Sequence, residues 1–196
     1  MPTRVPEPPP NAPRSGSALS RWFGRTILQL GGWTIVGNFP DVPRLVLLAA
    51  PHSSGWDAVW GLAAKLAMGV DISFMGKAEL FRGPLGWLLR RLGGIPVNRA
   101  RAHGAVQQAS ASLRSRERMW FVLAPEGTRK RVEHWRSGFW HIARAADVPV
   151  FCAWFHYPDR SIGLGQLFHM TGDLDADMAR IREYYQPFVG KHRGTV

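Results

Sequence analysis

The segment "PHSSGWD" (residues 51–57) closes the apolar run "LVLLAA" with a histidine and, five positions on, an acid. Histidine is the side chain best suited to moving a proton near neutral pH. It serves better when a carboxylate accepts its second ring N–H and stabilises the imidazolium. Gly55 eases a turn that brings His52 and Asp57 together. Two roles fit the pair from spacing alone: a general base with its orienting acid, or a loop histidine beside a helix-capping aspartate. Zinc ligation fits poorly, because no second His or Cys stands nearby at ligand spacing.

A second polar cluster, "PEGTRKR" (125–131), follows the apolar run "MWFVLA". Glu126, Gly127, Thr128 and Arg129 read either as an anion-holding turn, with arginine matching phosphate oxygens in a fork, or as a solvated basic loop. Residues 90–144 carry twelve Arg and Lys against Glu117, Glu126 and Glu133, so positive charge gathers around this segment.

The elements that must carry these residues alternate in type. "TIVG", "RLVLLAA", "DISFMGK", "GIPVNR", "MWFVLAP", "VPVFCAWFHY" and "IGLGQLFHMT" predict strands. Helices are expected over 18–33, 57–69, 103–117, 137–147 and 173–190, with a kinked helix or helical hairpin over 80–93 around Gly83-Pro84. Strands alternating with helices predict a single α/β domain with a largely parallel sheet flanked by helices. In such sheets ligands sit at the carboxyl ends of strands. Those ends hold His52 with Asp57, then Lys77, then Asn98 with Arg99, then Glu126 to Arg129.

A length of 196 residues suits one domain. The formal charge of +11 favours an anionic partner: nucleic acid, an anionic membrane surface or a phosphorylated substrate. Zinc-finger spacing and RNP-type stretches are absent, which argues against nucleic acid. Cys152 is the only cysteine, so neither an internal disulfide nor a cysteine metal cluster can form; set in an apolar strand, it reads as inert core. No apolar run approaches the ~18 residues of a membrane span. Residues 1–17 are proline-rich and read as a disordered tail. Residues 18–33 read as an amphipathic helix with Leu19, Trp22, Phe23, Ile27 and Leu30 roughly on one face, suited to a membrane interface or to the domain's own core. Residues 34–196 form the remaining domain. Trp56, Trp87 and Trp135 stand near the motifs, with core packing the expected role for most of them.

"HSSGWD", "GKAELFRGPLGWLLRRLGGIPVNR", "APEGTR" and "VPVFCAWF" resemble, in order and spacing, the four sequence blocks of the glycerolipid acyltransferases, and most closely those of the 1-acylglycerol-3-phosphate (lysophosphatidic acid) acyltransferases. The resemblance spans roughly residues 33–156. It implies that His52 is the base and Asp57 its orienting acid. Arg99 and Arg129, with Lys77 as a third, would hold the acceptor phosphate, while Glu126, Gly127 and Thr128 support the loop. The implied reaction takes an acyl group from acyl-CoA or acyl carrier protein directly to the hydroxyl of a lysophospholipid, without an acyl-enzyme, bound cofactor or metal. Backbone N–H groups of Ser53–Gly55 would meet the oxyanion. The acceptor would be 1-acylglycerol-3-phosphate or a related lysolipid, including an ornithine-type one. The enzyme would work at the cytoplasmic face of a membrane as a peripheral or monotopic protein. Ala124, where a bulkier residue is common, departs from the pattern.

Overall fold

Arg44–Ala50 (β2) is buried along almost its whole length, as an unbroken apolar strand must be when both faces of its sheet are covered. A computed structural model of the chain describes residues 5–97 and 102–192. It sets β2 within a seven-stranded sheet with Thr34–Gly37 (β1), Ile72–Lys77 (β3), Gly94–Val97 (β4), Met119–Leu123 (β5), Val150–His156 (β6) and Ser161–Phe168 (β7). The spatial order is β1-β7-β6-β2-β5-β3-β4. Every pairing is parallel except that of β6 with β7. The α/β class read from the alternation of elements is the observed one. Its consequence for function is that β6, β2, β5, β3 and β4 all end on the same edge of the sheet.

Among the described residues, six α-helices flank the sheet: Ala18–Gly31 (α1), Trp56–Met68 (α2), Gly83–Arg91 (α3), Ala102–Ser115 (α4), Gly138–Ala146 (α5) and Leu174–Tyr185 (α6). Alternating side chains of the central strands feed two cores. Leu45 and Leu47, with Trp120 and Phe151, meet Ala63, Ala64 and Ala67 of α2 and Leu28 of α1. Val46 and Leu48, with Phe121 and Val150, meet Leu113 of α4, Phe139 of α5 and Ile181 and Tyr185 of α6. Each large apolar side chain so buried stabilises the fold by about 1.5–3 kcal/mol, which holds β2 rigidly beneath the loop it delivers.

Several boundaries differ from expectation. The 80–93 segment divides into a 3-10 turn, Ala78–Phe81, and α3. Pro84 falls in the first turn of α3, where its missing N–H costs nothing. The closing helix stops at Tyr185 rather than continuing to 190, and Pro187 bars its extension.

The proline-rich segment is the larger correction. Residues 5–17 lie against the domain. Ala12 is fully buried, the Ser15 N–H donates to Gly69 O at 2.9 Å, and the Asp71 N–H donates to Pro13 O at 2.8 Å. Arg118 reaches across to Pro10 O at 3.0 Å. Prolines pre-set the extended backbone, so docking it loses less entropy than docking a flexible chain. Residues 1–4 lie outside the described residues.

The chain then enters α1 through a capping box between Ser17 and Ser20. A Cβ at Gly24 would stand 2.5 Å from Ala67 N and 2.6 Å from Ala63 O, so the backbones of α1 and α2 touch there. Gly24 and Leu28 seat the helix. Leu19, Trp22, Phe23 and Leu30 face outward. Ile27, expected on the same face, is half-buried against the core. No helix among the described residues is long and apolar enough to cross a membrane.

Candidate active site

Two neighbouring parallel strands, β2 and β5, deliver the two polar motifs side by side. After Ala50 the chain turns through Pro51, and the backbone N–H of His52 donates to both carboxylate oxygens of Glu126, at 3.0 and 2.9 Å. Glu126 is buried. Its carboxylate therefore ties the β5 loop to the backbone of the β2 loop and fixes where the imidazole starts.

The loop then closes on itself. Asp57 lies in the first turn of α2, where the helix dipole favours an anion. Its Oδ2 accepts from the Ser54 N–H at 2.8 Å and stands 3.1 Å from His52 Nδ1. Because a carboxylate can only accept, Nδ1 carries a proton, and in the neutral ring the lone pair is then on Nε2. The His52 side chain is 28% exposed and that of Asp57 0%, so the imidazole reaches solvent while the carboxylate does not. Burial raises the Asp57 pKa, but hydrogen bonds from His52, Tyr157 and the Ser54 N–H outweigh it and hold the carboxyl below its ordinary value.

Tyr157 is a member of the site that the sequence reading did not include. Its hydroxyl donates to Asp57 Oδ1 at 2.5 Å, and burial, followed by that hydrogen bond and the Asp57 charge, raises its own pKa. It stands one position past the end of β6, which pairs with β2. The strand-end rule that marks His52 also marks the end of "VPVFCAWFHY" as a place to look, but it does not say which partner a residue there meets.

The Glu126–Arg129 turn has its own constraints. Gly127 adopts φ +66°, a left-handed backbone that glycine takes without strain. The Thr128 hydroxyl accepts from the Lys130 N–H at 3.3 Å. Arg129 is exposed and swings toward the β2 loop: its guanidinium lies 3.1 Å from where a Gly55 Cβ would be. Lys77 is exposed at the end of β3, in register with Val97, on the same sheet edge as the histidine loop. Arg99 and Asn98 lie outside the described residues.

The Ser53–Gly55 turn differs in one respect from expectation. The Ser54 N–H, one of the three expected to meet an oxyanion, is committed to Asp57. Cys152 is fully buried in β6, and burial pushes its thiol up to about 12, as fits inert core. Of the three tryptophans near the motifs, Trp135 is buried, whereas Trp56 and Trp87 are exposed. Beside the histidine loop runs a shallow groove of about 430 Å³, lined by Ser54, Gly55, Trp56, Val59, Lys191 and His192. Among the described residues no three His, Cys, Asp or Glu side chains gather as a metal site would need.

The acyltransferase family model matches residues 36–156, which contain both loops. The fold is similar to that of the 1-acyl-sn-glycerophosphate (LPA) acyltransferase PlsC from Thermotoga maritima, with a TM-score of 0.59 over 85% of this chain and 78% of that one, at 18% identity. At that identity the likeness is one of fold. No curated protein sequence matches the chain.

Proposed function

The chain belongs to the acyltransferase family, and we propose that it transfers a fatty acyl group from an acyl thioester to the free hydroxyl of a lysophospholipid, 1-acylglycerol-3-phosphate first among them, to give phosphatidic acid. The observation that carries this reading is the His52 Nδ1–Asp57 Oδ2 pair at 3.1 Å, with the acid buried and the base open to solvent. Nε2 takes the proton of the acceptor hydroxyl as its oxygen attacks the thioester carbonyl. Asp57 keeps the imidazole in that tautomer and stabilises its charge once protonated. The tetrahedral oxyanion meets the N–H groups of Ser53 and Gly55. Its collapse breaks the C–S bond, and the departing thiolate of CoA or acyl carrier protein takes the proton back from Nε2.

Transfer is direct. The deep burial of Cys152 and the hydroxyl acceptor itself make an acyl-enzyme unnecessary, so mass spectrometry of the enzyme under turnover should find no acylated protein. Arg129, and with it Lys77 and Arg99, serve the acceptor phosphate. The outward Leu19, Trp22, Phe23 and Leu30 of α1 support peripheral or monotopic attachment at the cytoplasmic face of a membrane, with the basic surface toward anionic lipid.

The test is acyl transfer by the purified protein with 1-acylglycerol-3-phosphate, other lysolipids including an ornithine-type one, and acyl-CoA or acyl carrier protein donors. A general base contributes roughly 10²–10⁴-fold, so His52→Ala should lose at least that much. Its backbone N–H, the group Glu126 holds, survives the substitution and the fold with it. Near-wild-type turnover by His52→Ala would refute the base.

A further inference from the structure

The C-terminal segment comes back over the site. Past Tyr185 the Phe188 ring stacks on Trp154, with centroids 4.2 Å apart and planes 11° off parallel. Val189 then pairs with the end of β6: the Tyr157 N–H donates to Val189 O at 2.9 Å, and the Val189 N–H donates to His156 Nδ1 at 3.0 Å. Gly190 is buried. The His192 N–H donates to the Ser53 hydroxyl at 3.3 Å, next to the base. The segment itself lies beyond residue 156, where the family match ends.

This path sets Lys191 at the groove beside His52. Its ammonium stands over the Trp56 ring, 5.5 Å from the centroid. Trp56 is itself held by a stack on Trp60 at 5.9 Å, and Trp60 by a stack on Trp33 at 5.4 Å. The aromatic column gives Lys191 a fixed seat on an otherwise exposed surface. Arg129 approaches Gly55, on the same groove, and α2 turns its N-terminal, positive pole there. The nearby acid, Asp57, is buried and engaged by His52, Tyr157 and Ser54. Lys191 on the groove, Arg129 beside Gly55 at its edge and the N-terminus of α2 thus border a groove with no carboxylate among its lining residues.

We propose that Lys191 is a substrate-binding residue: with Arg129 it holds a phosphate group of one of the two substrates in the groove above Trp56. The proposal rests on the acyl-transfer reading. The same chemistry has two sources, the phosphate of the lysolipid acceptor and the phosphates of the coenzyme A donor.

The experiment measures binding as well as turnover. Coenzyme A and 1-acylglycerol-3-phosphate are each titrated into the full-length protein, Lys191→Gln and Lys191→Glu, followed by calorimetry, with pantetheine and a monoacylglycerol as phosphate-free counterparts. Loss of one charge-assisted contact should weaken the phosphate-bearing ligand about tenfold or more, with Lys191→Glu the worse. The phosphate-free counterparts should be unaffected. In steady state KM should rise for that same substrate with kcat little changed. Weakened lysolipid identifies the acceptor site and weakened coenzyme A the donor site. Unchanged affinity for both, with thermal melting intact, overturns the proposal. So does equal weakening of the phosphate-free ligands. If wild type binds a phosphate-bearing ligand through Lys191 yet transfers no acyl group, the acyl-transfer reading fails and this site stands.

Discussion

The hydroxyl of Tyr157 donates to Asp57 Oδ1 at 2.5 Å, so the acid that orients His52 is itself held by a residue one position past the neighbouring strand. Tyr157→Phe removes that donor and nothing of the ring. A hydrogen bond to a charged group stabilises by about 1.5–3 kcal/mol, so the Asp57 pKa should rise toward its ordinary value and the melting temperature should fall. kcat should drop roughly tenfold as the imidazolium loses part of its counter-charge. Acyl-transfer rates against pH, beside calorimetric melting, check both. Unchanged kcat with lowered stability would leave Tyr157 a purely structural prop.

Why Tyr157 was hard to see in the sequence, while His52 and Asp57 were easy, is a matter of locality. The pair is closed by one turn, and a glycine in that turn is visible in the letters. Tyr157 meets Asp57 only because β6 pairs with β2 in a particular register, and no local pattern states a pairing across a hundred residues. The buried strands were legible for a physical reason: a parallel sheet covered on both faces demands unbroken apolar runs. Residues 5–17 dock where a disordered tail is expected, because proline content describes backbone stiffness, and stiffness suits a docked extended segment as well as a free one. Lys191 carried no signal, since its place depends on where α6 stops and how Phe188 packs on Trp154.

Asp57 should also make stability pH-dependent in a defined direction. Its folded pKa is lowered. Its contribution is therefore fully present above the unfolded value, about pH 4, and is lost as pH falls from there through the folded value. Asp57→Asn cannot follow this course. The melting-temperature gap between wild type and Asp57→Asn should be largest at neutral pH and shrink below about pH 4. At neutral pH the asparagine can donate to Nδ1 and fix the wrong tautomer, so turnover should fall by about 10²–10⁴-fold. A gap that does not narrow in acid would contradict the lowered pKa.

Glu126 tests whether a buried carboxylate in the motif does chemistry or holds the frame. Its oxygens accept the His52 N–H, a contact with the backbone. Glu126→Gln keeps one acceptor oxygen and nearly the same volume, so activity should stay within about tenfold of wild type. Glu126→Ala leaves the N–H without its acceptor and opens a cavity, which should cost about 2–4 kcal/mol and lower kcat together with the melting temperature. If Glu126→Gln were as inactive as His52→Ala at full stability, the carboxylate would be acting in the reaction.

Helix α1 separates the two surfaces its sequence combined. Gly24 and Leu28 attach it to α2, and Leu19, Trp22, Phe23 and Leu30, the last 85% exposed, project away. Outward apolar side chains contribute little to the folded monomer, and their burial becomes favourable only when another apolar phase is present. Trp22→Glu with Phe23→Glu should therefore leave the melting temperature near wild type while lowering partition onto phosphatidylglycerol vesicles by about tenfold or more. Salt should act separately. Raising ionic strength toward 1 M shortens the screening length to about 3 Å, which should weaken the basic surface's share of binding in wild type and double variant alike. The apolar share should persist in wild type only. Vesicle binding that survives the double substitution and fades entirely with salt would move the attachment from α1 to the basic surface alone.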